Sequence, residues 1–113
     1  QNAVEERRMS RKVTLTVPVD IVVRDRDVHV LALVKKRSGA SSHGVSASIR
    51  SFADELDVSL DTTRRALASC EEAGYLTVRA NRMKNGGQLE NTYCVTKRGD
   101  EILEAARKAG LIS

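Results

Sequence analysis

Aromatic side chains are nearly missing from this sequence: its 113 residues hold one Phe (Phe52), two Tyr (Tyr75, Tyr93) and no Trp. Binders of single-stranded nucleic acid stack bases on aromatic platforms, and three scattered rings cannot build one. Cysteine and histidine are also scarce. Cys70 and Cys94 stand far apart, as do His29 and His43, so neither pair has a metal-ligand spacing such as C-x-x-C or H-x-x-x-H. No metal or cofactor is expected. No apolar run approaches the ~20 residues that a membrane span needs, and the opening Gln1-Asn2-Ala3-Val4-Glu5-Glu6-Arg7-Arg8-Met9-Ser10 has no secretory apolar core. These absences exclude a membrane protein or secreted scaffold, and the expected location is the cytoplasm. Neither a nucleophile–base pair nor a phosphate-cradling glycine loop is visible, so the chain is not expected to be an enzyme.

What is present reads as one globular domain. Lys and Arg number 19 against 15 Asp and Glu, for a net charge of +4, with 41% hydrophobic and 30% charged residues. Residues 1–12 are polar and without period, which predicts a flexible arm, or extra residues ahead of a native start at Met9. Residues 13–113 form the single domain. Val13-Thr14-Leu15-Thr16-Val17 alternates apolar and polar like a half-buried strand, closed by Pro18. The extended run Val19–Val23 follows, and a helix is expected from Asp27 as N-cap, with Val28, Leu31 and Ala32 on one face. Asp25 and Asp27, alternating with Arg24 and Arg26, read as solvated carboxylates. Ser38–Gly44 is a small-residue loop.

The second half has a stronger pattern. Ser48 caps a helix whose apolar positions Ile49, Phe52, Ala53 and Leu56 follow i, i+3, i+4, i+7 spacing. After a short break, Ser59 caps a second helix running to about Ala73, with Thr63, Ala66, Leu67 and Cys70 inward and Gly74 ending it. Two helices joined by so short a turn form a helix-turn-helix. Residues 75–80 and 91–96 then read as strands of a hairpin around Lys84-Asn85-Gly86-Gly87, since Asn-Gly tolerates the positive φ of tight turns. A last helix spans about Arg98 to Ala109, with Ile102, Leu103 and Ala106 on one side. Cys70 and Cys94 are both expected to be buried hydrophobes. The fold class predicted is α+β, mostly helical: a winged helix-turn-helix of about 48–73 with a wing of about 75–96, an N-terminal strand and a C-terminal helix.

Ser48-Ile49-Arg50-Ser51-Phe52-Ala53-Asp54-Glu55-Leu56-Asp57-Val58-Ser59 resembles the "S-x-x-x-L-A-x-x-L-x-V-S" helix of bacterial winged-helix regulators. Thr62-Thr63-Arg64-Arg65-Ala66-Leu67, with Glu71-Glu72-Ala73-Gly74-Tyr75-Leu76, is similar to their recognition helix and its exit. Val95-Thr96-Lys97-Arg98-Gly99-Asp100-Glu101-Ile102-Leu103 resembles the wing-to-helix junction of MarR- and PadR-type repressors. A second resemblance, through Val17-Pro18-Val19-Asp20-Ile21-Val22 and Gly86-Gly87-Gln88-Leu89-Glu90-Asn91-Thr92-Tyr93, is to the DNA-binding domains of plasmid and phage replication initiators. Either resemblance implies binding of double-stranded DNA, with transcription regulation as the first expectation and a replication or partition role as the alternative. A protein-interaction winged helix is the further alternative.

The chemistry of duplex recognition selects the candidate residues. Base edges are read by side chains on a helix in the major groove, and phosphates are neutralised by cations. The recognition helix presents Ser59, Asp61, Thr62, Arg64 and Arg65, and the wing adds Arg79, Arg82 and Lys84. From Ser59 to Gln88, five Lys/Arg stand against three acids, of which Glu71 and Glu72 lie at the helix's far end. One winged helix reads few base pairs, so a homodimer is expected, with the Val13–Val17 strand and the last helix as its free elements.

Overall fold

The chain opens with a helix where the composition predicted a flexible arm. The structure, a computed structural model, describes residues 3–87 and 89–113, so Gln1 and Asn2 of that arm, and Gln88 of the wing, lie outside the described residues. Helix α1 (Ala3–Met9) has Glu5 and Glu6 in its first turn and Arg7 and Arg8 in its last, favourable at each end of the helix dipole, and Met9 is buried.

Strand β1 (Lys12–Thr16) is not the single strand expected. It pairs antiparallel with β2 (Asp20–Arg24), with Val13 opposite Val23 and Leu15 opposite Ile21. Their connection contains a cis Val17–Pro18 bond. Alternation works as the pattern required: Leu15 and Val23 are buried while Thr14 and Val22 face out.

Helix α2 (Asp25–Ser38) starts two residues earlier than Asp27, and no side chain caps it. The reason is tertiary. Asp25 N–H donates to the Arg11 carbonyl at 2.8 Å, and the Asp25 carboxylate is 3.0 Å from the Arg11 guanidinium. Asp25 and Asp27, expected in solvent, are both buried, the latter accepting a 2.7 Å bond from Ser69 Oγ. Val28, Val30, Leu31, Leu33 and Val34 are buried too, a wider stripe than the sequence pattern showed, because α2 is the central helix against which α3, α4, α5 and β5 pack. Burial on most sides overrides the weak helix preference of its valines.

A three-residue strand, β3 (Val45–Ala47), was not anticipated and joins a second sheet ordered β3-β5-β4, with β4 spanning Leu76–Arg79 and β5 Asn91–Val95. It begins after Gly44, where φ is +85° and a Cβ would lie 2.2 Å from the Tyr93 carbonyl oxygen, so only glycine admits this approach. Across the sheet Val45 and Val78 both stand opposite Tyr93. Tyr93 is buried and meets Phe52 edge to face, ring centroids 5.3 Å apart.

Helices α3 (Ile49–Leu56), α4 (Leu60–Glu72) and α5 (Lys97–Lys108) follow the predicted spans closely. Ser48, Ser59 and Thr96 cap them, each side-chain oxygen accepting from the backbone N–H three residues on. At the start of α5, Gly99 packs so closely that a Cβ would sit 2.2 Å from the Tyr75 carbonyl oxygen. The two elements expected to be free for a second copy are used within the chain: β1 pairs with β2, and α5 buries Ile102, Leu103 and Ala106 in the common core.

Candidate nucleic-acid interface

Two features hold α4 rigidly against the rest. Its inner stripe, Thr63, Ala66, Leu67 and Cys70, is buried as the spacing predicted. The preceding helix is fastened in turn by Arg37 of α2, whose guanidinium lies 4.7 Å over the Phe52 ring, donates to Ser51 Oγ at 2.8 Å and pairs with Glu55 at 2.8 Å. The turn between α3 and α4 passes through Asp57 in the left-handed region, φ 57°. Helix-turn-helix geometry is therefore set by core packing on one side and an arginine clamp on the other.

On the outer face the structure exposes Asp61, Arg64, Arg65 and Ala68. Arg65 Nε is 3.1 Å from Asp61 Oδ2, one helical turn earlier, whereas Arg64 has no hydrogen bond or ion pair among the described residues. An open groove of about 480 Å³ runs beside Arg65, lined also by Arg26, Ala68, Ser69 and Glu72. Arg26 was not among the predicted residues, because only the fold brings the start of α2 next to α4. Glu71 and Glu72 are exposed in the last turn, away from the capped end.

Ser59 and Thr62 are placed differently from expectation. Both are only half exposed and already engaged. Ser59 Oγ accepts from Thr62 N–H at 3.0 Å, and Glu6 of α1 accepts from both the Ser59 N–H and the Thr62 hydroxyl, each at 2.5 Å. The Thr62 hydroxyl, ahead of the Ser59 N–H, holds the Glu6 carboxyl below its ordinary range despite partial desolvation. Sequence reasoning had no signal for Glu6, since its partners lie more than fifty residues away.

The wing carries the remaining cations. Arg79 ends β4, Arg82 follows in the loop and Lys84 stands in the turn, and all three are exposed. Asn81 shapes this loop, its amide donating to the Glu90 carbonyl at 2.7 Å and to Thr92 Oγ1 at 2.8 Å. Gly86, at φ +87°, and the Gly87 N–H bonded to Asn85 Oδ1 make the expected tight turn. Wing and α4 thus present two separate groups of cations, with no hydrogen bond or ion pair between them among the described residues.

Other candidates settle into structural roles. Cys70 is fully buried, and burial pushes its thiol far above the ordinary range. Cys94 is only half-buried, a correction to its expected burial, because the loop at Ser42 covers it from one side, the Ser42 carbonyl lying 3.5 Å from Sγ. His29 Nδ1 is 2.9 Å from the Asp25 carbonyl oxygen, while His43 is exposed. Among the described residues no three His, Cys, Asp or Glu side chains group to hold a metal ion, and no helix is long and apolar enough to cross a membrane.

Solved structures share this architecture. A candidate DNA-binding protein from Ralstonia eutropha JMP134 superposes with a TM-score of 0.52 at 18% identity, covering 73% of this chain and 94% of that one. A MarR family transcription regulator superposes with a TM-score of 0.51 at 19% identity, covering 77% of this chain and 58% of its own length. The fold is a winged helix-turn-helix. No family model and no curated protein matches the sequence.

Proposed function

We propose that this chain binds double-stranded DNA sequence-specifically, with α4 in the major groove and the wing on the flanking backbone, and acts as a bacterial transcription regulator. The observation that carries the reading is the condition of Arg64: an exposed guanidinium with no hydrogen bond or ion pair among the described residues, on a capped helix whose opposite face is locked in the core. Such a fork can bond the O6 and N7 acceptors of guanine together. Ala68 leaves the groove-facing surface low, and Arg79, Arg82 and Lys84 supply phosphate contacts. The wider architecture fits, since both solved structures above carry DNA-binding or transcription-regulator descriptions. Specific sites are longer than one winged helix reads, so the reading includes a homodimer on a pseudo-palindromic site, its recognition helices ~34 Å apart.

Selection from a randomised duplex pool, followed by binding measurements on the enriched site, tests this. Arg64→Ala is expected to lose about 1–3 kcal/mol of preference for the enriched site over random duplex. Lys84→Ala is expected to weaken both sequences about equally. Equal losses of preference in the two variants would overturn the assignment of roles, and a pool with no enrichment would favour a protein-interaction surface.

A further inference from the structure

Helix α1 sits on the end of α4 that the DNA-binding reading turns toward the nucleic acid. Its Glu6 takes the Ser59 N–H with one carboxylate oxygen and the Thr62 hydroxyl with the other. In a capping box the first of these bonds comes from a Glu or Gln at the third helical position. That position here is Thr62, too short to reach back, and Glu6 supplies the carboxylate from outside the helix. The two donors it occupies, a backbone N–H at a helix N-terminus and a nearby hydroxyl, are the kind that hold DNA phosphate oxygens in protein–DNA interfaces.

From this arrangement we infer that α1 is an autoinhibitory strap: in the DNA-free chain Glu6 fills the place of a backbone phosphate at the N-terminus of α4, and DNA must displace it. This inference rests on the DNA-binding reading above. Charge acts in the same direction as occupancy. With Glu6 docked, the first turn of α4 carries two carboxylates, Glu6 and Asp61, facing an approaching polyanion. Displacement exchanges one anion for another on the same donors. The strap's anchoring lies at its other end: Met9 is the buried residue of α1, and Arg11, two positions on, pairs with buried Asp25. Ser10 lies between those anchors with its carbonyl accepting from Arg24 at 3.1 Å, so displacing α1 draws Met9 from its buried site while β1 stays paired.

The test compares the full chain with Glu6→Gln and with Glu101→Gln, which removes the same charge from an exposed ion pair on α5. Binding of a fluorescein-labelled duplex of random sequence is followed by anisotropy, and thermal unfolding is recorded for each protein. Glu6→Gln is expected to bind about three- to ten-fold more tightly than the unaltered chain, with Glu101→Gln shifted by less than about two-fold. Equal tightening in both variants, or unchanged or weaker binding by Glu6→Gln, overturns the strap and leaves DNA binding standing. If none of the three proteins binds, the DNA reading itself fails and the strap with it. Hydrogen exchange on the unaltered chain gives a second readout that needs no variant. Amides of α1 should lose protection when the duplex is added, and retained or increased protection there contradicts the inference.

Discussion

Arg64 and Arg65 are neighbours in sequence but not in circumstance. Arg65 is held by Asp61 and lies along the groove shared with Arg26, so a base contact from Arg65 first requires the Asp61 pair to open. The two cysteines differ as much. A thiolate is the reactive form, and desolvation keeps Cys70 protonated, whereas Cys94 is half-buried on β5. Iodoacetamide at neutral pH should therefore modify Cys94 in the folded chain and reach Cys70 only on unfolding, and equal labelling of both would contradict the packing described. The same contrast of burial governs Asp27. Desolvation raises its pKa, against the bonds from Ser69 and Arg26, so the folded state favours the protonated form relative to the unfolded chain. Its contribution to stability is then full below the ordinary aspartate range and is lost as pH rises through the raised value. Thermal melts should show the unaltered chain gaining on Asp27→Asn as pH falls through that window, and a difference independent of pH would refute this. Neither Asp25 nor Asp27 is readable as buried from the sequence: alternation with arginine looks solvated, and the partners Arg11 and Ser69 come from other elements.

At the scale of elements, the helix-turn-helix depends on one unfavourable residue. Asp57 closes α3 in the left-handed region, where its N–H reaches the Ala53 and Asp54 carbonyls, and a side chain with a Cβ resists that conformation. Asp57→Gly is expected to stabilise the chain by about 0.5–1 kcal/mol, read as an increase in the denaturation midpoint at unchanged slope. A destabilised variant would mean that the Asp57 side chain has a role beyond closing the turn. The three helices of the second half are legible in the sequence because each carries its cap and its apolar spacing in its own segment: Ser48 with Ile49, Phe52 and Ala53, Ser59 with Ala66 and Leu67, Thr96 with Ile102 and Leu103. Elements held by remote partners are not. β3 is three residues long and exists through its pairing with β5, the β1–β2 hairpin is obscured by Pro18, and α1 owes its position to Glu6 on α4 and Met9 in the core. The candidate site divides the same way. Its cations are visible as outward residues of recognisable elements, while the engagement of Ser59 and Thr62 and the approach of Arg26 are products of the fold.

For the molecule as a whole, a net charge of +4 is small, and it is the placement of the charge that favours a polyanionic partner. Arg64, Arg65, Arg79, Arg82 and Lys84 are exposed on α4 and the wing, only Arg65 of them paired with a carboxylate among the described residues, while Arg11, Arg37, Arg98 and Arg107 are paired elsewhere and Arg7, Lys12, Arg50, Lys97 and Lys108 are exposed at scattered positions. Counterion release turns that distribution into a number. With Arg64 on the bases, the other four cations of one copy correspond to a slope of about −4 in log affinity against log salt, and two copies on one duplex to about twice that. Light scattering on the same samples separates the two cases by mass. The most direct measurement is therefore a salt titration of anisotropy with random-sequence duplex DNA. Binding at low salt with a slope between about −4 and −8 is expected. Absence of binding at about 50 mM salt, or a slope near zero, would contradict it and leave the arginines of α4 as ordinary surface charges.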